Sequence, residues 1–136
     1  MNASATFEVL DEAECRRLLA IEQVGRIAFV GDDGFPAVLP VNFLVDGDLV
    51  AIRSDLGAKT ANVPLQRVAF EVDGIDVDTQ TGWSVLVQGY GQDVTDALGR
   101  RYEDLRRRTL PTWAPGERGH WLTIDIGRMS GRRITV

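Results

Sequence analysis

The residues of this chain with the clearest chemical potential follow an apolar, strand-like segment at 49–54, LVAIRS. Arg53 and Ser54 end that segment, and Lys59 and Thr60 come shortly after it in the sequence LGAKT. A guanidinium, an ammonium and two hydroxyls, together with the free N–H groups that begin a short helix, are donors that suit an anionic phosphate. The pattern therefore indicates a site for a phosphate-bearing ligand. The alternative is that Lys59 is an ordinary solvated surface charge.

Another polar side chain lies within the apolar segment 36–45, PAVLPVNFLV. Asn42 is the polar residue on the even-numbered face of this strand, and an unpaired buried amide costs about 1–3 kcal/mol. It therefore either hydrogen-bonds a neighbouring backbone group or contacts a polar, planar ligand. Pro40 favours the ligand, because proline cannot donate to a β-ladder and marks an edge where a ligand can approach the backbone.

Aromatic residues offer further candidates for a binding site. Trp83 and Ser84 begin a later strand, and tryptophan there is more often a core residue, although it can also form one wall of an aromatic ligand site. Trp113 and Trp121 each fit a pocket-facing or a dimer-facing role. His120 has no cysteine or second histidine near it in the sequence, so we predict no metal site there.

Two helices and a set of hairpin-linked strands must position these residues. Asp11 and Glu14 form a capping box for a helix over 11–22, and Asp55 is placed to cap a short helix over 56–62. Alternating apolar residues predict six or so strands, at 26–30, 36–45, 49–54, 67–73, 83–95 and 120–126. Most connections are too short to join parallel neighbours, so we predict an antiparallel barrel.

Composition narrows the class of protein further. The chain has 136 residues, 44% of them hydrophobic and 26% charged, which is ordinary for one globular domain over 1–136. A net charge of −5 disfavours broad nucleic-acid binding. There is no apolar run of the roughly 20 residues that a bilayer span requires and no basic, apolar leader, so we expect a cytoplasmic protein that is not bound to membranes. The single cysteine, Cys15, is expected in the core.

Taken in order, several of these segments resemble the pyridoxamine 5′-phosphate oxidase-like, FMN-binding split-barrel superfamily. The most specific are LPVNF (39–43), IRS (52–54) with GAK (57–59) after it, and TGWSVLVQG (81–89). The closest branch is that of small bacterial flavin-nucleotide-binding proteins, which include nitroimidazole-resistance reductases. The resemblance covers residues 8–95 well and the remainder loosely.

The resemblance implies a mainly β fold, a six-stranded antiparallel split barrel, that works as a homodimer with FMN at the subunit interface. It also implies nine cofactor-binding residues. Three run along the isoalloxazine ring, four hold the ribityl phosphate and two come from a neighbouring strand, quite possibly in the other subunit. In that order they are Pro40, Val41 and Asn42; Arg53, Ser54, Lys59 and Thr60; Trp83 and Ser84.

The activity implied is that of an FMN-dependent oxidoreductase acting on a small molecule that the sequence does not identify. We assign no catalytic side chain, because the flavin itself carries the electrons. True pyridoxamine 5′-phosphate oxidases are longer and have substrate-binding residues that we do not find here, so their activity is not expected. Other members bind haem or a deazaflavin. A deazaflavin-dependent reductase and a non-enzymatic flavin-binding or dimerisation module remain as alternatives, while the Ser/Lys phosphate set favours FMN.

Overall fold

A computed structural model describes residues 4–136 and arranges its strands in one curled, antiparallel sheet. The eight strands are β1 (Thr6–Leu10), β2 (Val24–Val30), β3 (Pro36–Asn42), β4 (Leu44–Asp46), β5 (Leu49–Ser54), β6 (Arg67–Asp76), β7 (Thr81–Asp93) and β8 (His120–Thr135). The three helices are α1 (Glu12–Leu19), α2 (Ala58–Asn62) and α3 (Arg100–Arg106). The predicted mainly β, antiparallel class is confirmed.

The order of strands explains why the sheet curls. It runs β3-β2-β6-β7-β8-β5-β4, with β1 paired to β8. The two end strands, β3 and β4, are consecutive in the chain and are separated by Phe43 alone. The predicted strand 36–45 is therefore divided at Phe43, and its halves pair with β2 and β5 at opposite ends of the sheet. The strand count exceeds six because of this division and because β1 was not predicted.

Helix α1 forms where the sequence predicted it and ends earlier. The Asp11 carboxylate accepts a 2.9 Å hydrogen bond from the backbone N–H of Glu14, which is the predicted N-cap contact. The helix stops at Leu19, three residues before the predicted end. Cys15 and Leu18 are buried on its inner face, and burial raises the pKa of the Cys15 thiol. The predicted core position of Cys15 is therefore confirmed.

Alternate residues of the strands fill the core inside the curled sheet. This core includes Ile27, Phe29, Phe43, Val50, Ile52, Phe70, Val72, Val85, Val87, Leu122 and Ile124. A smaller apolar cluster lies on the other face of β5 and β8, beside α3, and comprises Ala51, Val94, Leu105, Leu110 and Trp121. Strand β5 is thus covered on both faces, which fixes Arg53 between the sheet and the segment that follows α3.

The outward face of β3 has no such cover in a single chain. Val38 is 61% exposed on that face, and Pro36 and Pro40 are exposed as well. The sequence predicted cover on both sides of this strand by a helix or a second subunit, and in residues 4–136 no helix takes that place. None of the helices in this part of the chain is long and apolar enough to cross a bilayer.

Candidate functional site

Five of the nine predicted site residues surround one cavity at the end of β3. The cavity has a volume of about 230 Å³, and these five are Pro40, Val41, Asn42, Arg53 and Lys59. Five further residues complete its lining: Trp113, for which the sequence left a pocket-facing role open, and Val24, Thr112, Ala114 and Arg118, which it did not select. Four of these additional residues belong to the segment 110–118 between α3 and β8, which we call the covering segment.

Asn42 attaches the covering segment to β3. Its side-chain Nδ2 donates to the backbone oxygen of Gln23 at 3.2 Å, and its Oδ1 accepts from the backbone N–H of Trp113 at 2.8 Å. Both ends of the amide therefore have backbone partners. The sequence left two roles open for Asn42, a hydrogen bond to a neighbouring backbone group or a contact with a ligand, and the structure shows the backbone hydrogen bond.

Arg53 holds the same segment from β5. Its Nε donates to the backbone oxygen of Arg118 at 3.0 Å, and a Nη1 contact to the oxygen of Leu110 measures 3.5 Å. Its guanidinium carbon also lies 5.7 Å from the centre of the Trp121 ring. Arg53 therefore fixes both ends of the covering segment while its positive charge stays at the cavity.

Arg118 brings a third cation to the cavity. It forms a 3.2 Å ion pair with Asp55 and donates to the backbone oxygens of Glu117 and Pro115 at 3.2 and 3.0 Å. Sequence reasoning missed it because it lies 65 positions from Arg53, inside an irregular segment with no motif. The only local signal was an arginine within the turn-forming sequence APGERG.

The start of α2 differs from the prediction. Asp55 was expected to cap this helix, but Gly57 is the N-cap residue and Asp55 pairs with Arg118 instead. Thr60 closes the turn, because its hydroxyl oxygen accepts from Gly57 N–H at 2.9 Å and lies 3.0 Å from the Gly57 carbonyl. The Thr60 hydroxyl is therefore used within α2, and Thr60 is not part of the cavity lining.

Lys59 differs from the two arginines because its ammonium is unengaged. It is half-buried at the cavity, and within residues 4–136 its side chain makes no hydrogen bond or ion pair. Lys59 is also the single lysine among the 15 lysine and arginine residues of the chain. The one primary amine on a side chain of this protein is thus directed to the candidate site.

Ser54 lies outside the cavity. It is 1% exposed, and its hydroxyl donates to the backbone oxygen of Asp55 at 2.9 Å. His120, its partner across β5 and β8, has Nδ1 3.3 Å from Oδ2 of Asp93. Burial alone would raise the pKa of Asp93, but hydrogen bonds from Thr95 and His120 outweigh it and lower that pKa. These contacts give His120 a structural partner.

Trp83 and Ser84 lie elsewhere on the sheet of the same chain. They line a separate groove of about 610 Å³ together with Phe7, Glu71 and Arg132. Trp83 also packs against the inner core. A single chain therefore does not bring them to the cavity beside Asn42, and their predicted role from a second subunit stays a prediction.

A carboxylate pair borders this groove on β6. Oxygen atoms of Glu71 and Asp73 lie 3.4 and 3.3 Å from the same nitrogen of Arg26. The pKa of Glu71 is raised to about 7, chiefly by burial and then by the hydrogen bond and negative charge of Asp73. The charge and hydrogen bond of Arg26 oppose this rise. The pair therefore shares one neutralising cation, and Glu71 loses its proton only as the pH approaches neutrality.

Comparison with known proteins agrees with this architecture. A family model described as pyridoxamine 5′-phosphate oxidase matches residues 11–133. An uncharacterized protein of Mycobacterium tuberculosis is 39% identical over 134 residues, which represent 93% of this chain and 85% of the relative.

Two solved structures are similar over nearly the whole chain. The FAD binding protein from Mycobacterium smegmatis is 27% identical, with a TM-score of 0.69 over 94% of this chain and 98% of that chain. A conserved protein of unknown function from Corynebacterium diphtheriae is 29% identical, with a TM-score of 0.74 over 95% of this chain and 98% of that chain. The chain therefore belongs to the pyridoxamine 5′-phosphate oxidase-like family of FMN-binding split barrels.

Proposed function

We propose that this chain binds FMN non-covalently in the cavity beside Asn42 and uses it to oxidise or reduce a small molecule. The observation that carries the proposal is that three cations line the same cavity, Arg53, Lys59 and Arg118. With Asp55 included, the local net charge is +2, within a chain of net charge −5. A phosphate monoester carries about −1.5 to −2 at neutral pH, which matches that excess.

The cavity has both kinds of side chain that FMN requires, charged donors for the phosphate and apolar surface for the ring. The Lys59 ammonium has no partner among the described residues. Arg118 adds a positive charge, and its guanidinium also donates to Asp55 and to the backbone oxygens of Glu117 and Pro115. Pro40, Val41 and Trp113 supply apolar surface to the same cavity, which suits a planar ring system. The FAD binding protein from Mycobacterium smegmatis supports a flavin as the ligand class.

The size of the cavity supports a site completed by a second subunit. Its volume of about 230 Å³ is below the roughly 300–1,000 Å³ that pockets for small ligands occupy. The uncovered outward face of β3 and the groove at Trp83 are surfaces that a dimer would bury. In this proposal Trp83 and Ser84 of the partner subunit close the flavin site, as the family resemblance implies.

The bound flavin would supply the hydride or electron transfer. Lys59 and Arg118 bind the phosphate, while Arg53 fixes the covering segment and contributes positive charge. Asn42 positions Trp113 through its backbone, and Pro40 and Val41 exclude water from one side of the ring. We assign no proton transfer to a side chain, because the described lining contains no carboxylate, histidine or cysteine.

Identification of the cofactor is the first test. The purified protein is titrated with FMN, riboflavin, FAD and a deazaflavin cofactor, and binding is followed by calorimetry. We expect FMN to bind more tightly than riboflavin, because riboflavin lacks the phosphate. Preference for the deazaflavin would replace FMN in the proposal, and absence of binding to any of them would refute it. Failure of NADH or NADPH to reduce the bound flavin, with no turnover of any acceptor, would support the non-enzymatic alternative.

Lys59 provides the sharper test. Lys59→Ala removes a charge-assisted contact worth about 1.5–3 kcal/mol, which is about 10- to 150-fold in FMN affinity, and leaves riboflavin affinity unchanged. Arg100→Ala is the matched control, because it removes an exposed positive charge from α3, away from the cavity. Equal FMN affinity in the parent and Lys59→Ala would remove Lys59 from the site.

Chemical labelling gives a second readout at Lys59 without a mutation. An amine-selective acetylating reagent can modify one side chain in this protein, because Lys59 is the single lysine. We expect saturating FMN to slow acetylation of Lys59 and riboflavin to protect it less, as measured by mass spectrometry. The α-amino group of the chain serves as the internal reference, and its rate should not depend on either ligand.

A further inference from the structure

Trp113 presents a large aromatic surface beside the cavity. Its side chain is 68% exposed, whereas Trp121 is 7% exposed and Trp83 packs against the core. Phe7 and Phe35 are similarly exposed, at 61% and 73%, but they do not line the cavity, whereas Trp113 lines it with Pro40 and Val41. The position of this ring calls for a ligand with a flat, apolar face.

The backbone that carries Trp113 is held in place on both sides. Arg53 binds the carbonyls of Leu110 and Arg118, at the two ends of the covering segment. Between these two ends, Oδ1 of Asn42 accepts a 2.8 Å hydrogen bond from the backbone N–H of Trp113. Little backbone freedom remains to be lost when a ligand binds against the indole, so the contact is pre-organised.

We propose that Trp113 binds the planar ring of the ligand by stacking, and that Asn42 acts as a positioning residue that holds Trp113 in place. This inference rests on the proposed flavin site and adds to it the residue that recognises the ring. It divides recognition between two sets of lining residues. The cations, with Lys59, bind the phosphate, and Trp113 binds the aromatic system.

This division predicts different responses to three probes. FMN has the ring, the ribityl chain and the phosphate; riboflavin lacks the phosphate; lumiflavin has only the ring with a methyl group. Loss of the Trp113 ring should lower the affinity for all three flavins by the same factor. We expect about 5- to 150-fold, which is the effect of removing an aromatic side chain on which a nucleic-acid base stacks. Loss of the Lys59 charge should weaken FMN alone.

The experiment measures the affinities of these three flavins by calorimetry for the parent, Trp113→Ala and Trp113→Phe. We expect Trp113→Phe to recover much of the affinity, because an aromatic face is restored. Asn42→Ala should give a smaller loss that is also common to the three ligands. Phe35→Ala is the matched control, because Phe35 is a similarly exposed aromatic residue at a turn and does not line the cavity.

Three results would overturn the inference. The first is parental affinity of Trp113→Ala for all three flavins, and the second is a loss confined to FMN. The third is a Trp113→Ala protein that sediments as a smaller species than the parent, since Trp113 would then be a subunit contact. If the parent binds no flavin at all, the proposed function itself fails, and that outcome differs from each of these three.

Discussion

The carboxylate pair on β6 allows a direct test of the physical reasoning through pH. Glu71 and Asp73 both face Arg26, and one guanidinium cannot neutralise two carboxylates. In the folded protein, burial and Asp73 raise the pKa of Glu71 from its ordinary value of 4.5 to about 7. In the unfolded chain the carboxyl group is solvated and its pKa returns to the ordinary value.

The direction in which stability changes with pH follows from the number of protons that each state binds. Between pH 4.5 and pH 7 the folded protein binds more protons at Glu71 than the unfolded chain does, so stability falls as the pH rises through this window. At about 1.36 kcal/mol for each pH unit, the full difference is at most about 3.4 kcal/mol. About a third of the Glu71 side chain and nearly half of Arg26 are exposed, and solvent screening reduces the effect to about 1–2 kcal/mol.

Urea unfolding of the parent and of Glu71→Gln, at one protein concentration, measures this effect. Glutamine imitates the protonated carboxyl group, so the two proteins should be about equally stable near pH 5. Near pH 8 we expect Glu71→Gln to be more stable by about 1–2 kcal/mol. Glu103→Gln, at an exposed position on α3, is the control and should differ from the parent by the same amount at both pH values. A stability difference for Glu71→Gln that does not change with pH would refute the reasoning.

Substitutions at two further positions test the packing of the core and the cap of α1. In Gly25→Ala the new Cβ would overlap the ring of Phe70, which is fully buried and packs edge-to-face on Phe43. We therefore expect the free energy of unfolding in urea to fall by about 1–3 kcal/mol. Unchanged stability would contradict this packing. Asp11→Ala removes the acceptor for the Glu14 N–H and should cost about 1 kcal/mol, while Asp11→Asn should retain most of the stability. An equal loss in both Asp11 variants would show that the cap is not the cause.

The elements that the sequence predicted well are those with local signals. Helix α1 begins where Asp11 and Glu14 placed it, because a cap depends on residues three positions apart. Strand β5 has the predicted bounds, 49–54, because its apolar residues and the turn before it lie within a few positions. Local chemistry is sufficient wherever the partners are close in the sequence.

The elements that the sequence did not predict depend on partners far along the chain. Strand β1 pairs Thr6 with Thr135, and its short, mixed sequence TFEVL carries no strong signal alone. The tail after residue 126 was expected to be extended, and it continues β8 as one strand because its residues pair with β7 and β1. Asp55 was predicted as a helix cap because nothing local indicated Arg118 as its ionic partner.

The residues of the candidate site also fall into those that local sequence signals could indicate and those that depend on distant partners. Lys59 and Asn42 could be selected from the sequence because their residue types are chemically distinctive beside apolar strands. Trp113 and Arg118 could not be placed, because the covering segment is held at the cavity by contacts with residues 57 to 71 positions away. The hydroxyls of Ser54 and Thr60 bond neighbouring backbone groups, neither residue lines the cavity, and their predicted contact with a phosphate stays a prediction.

The placement of β8 has a consequence for how the protein is made. This strand pairs with β1, β5 and β7, and it follows all three in the chain. The ribosome delivers the chain from its amino end, so these strands emerge with unpaired edges before residues 120–135 are available. The β2–β3 and β6–β7 hairpins can form meanwhile, because their partners are close in the sequence. The nascent chain is therefore most exposed to association with other chains just before β8 is released, and it is in this interval that a chaperone would have the greatest effect on yield.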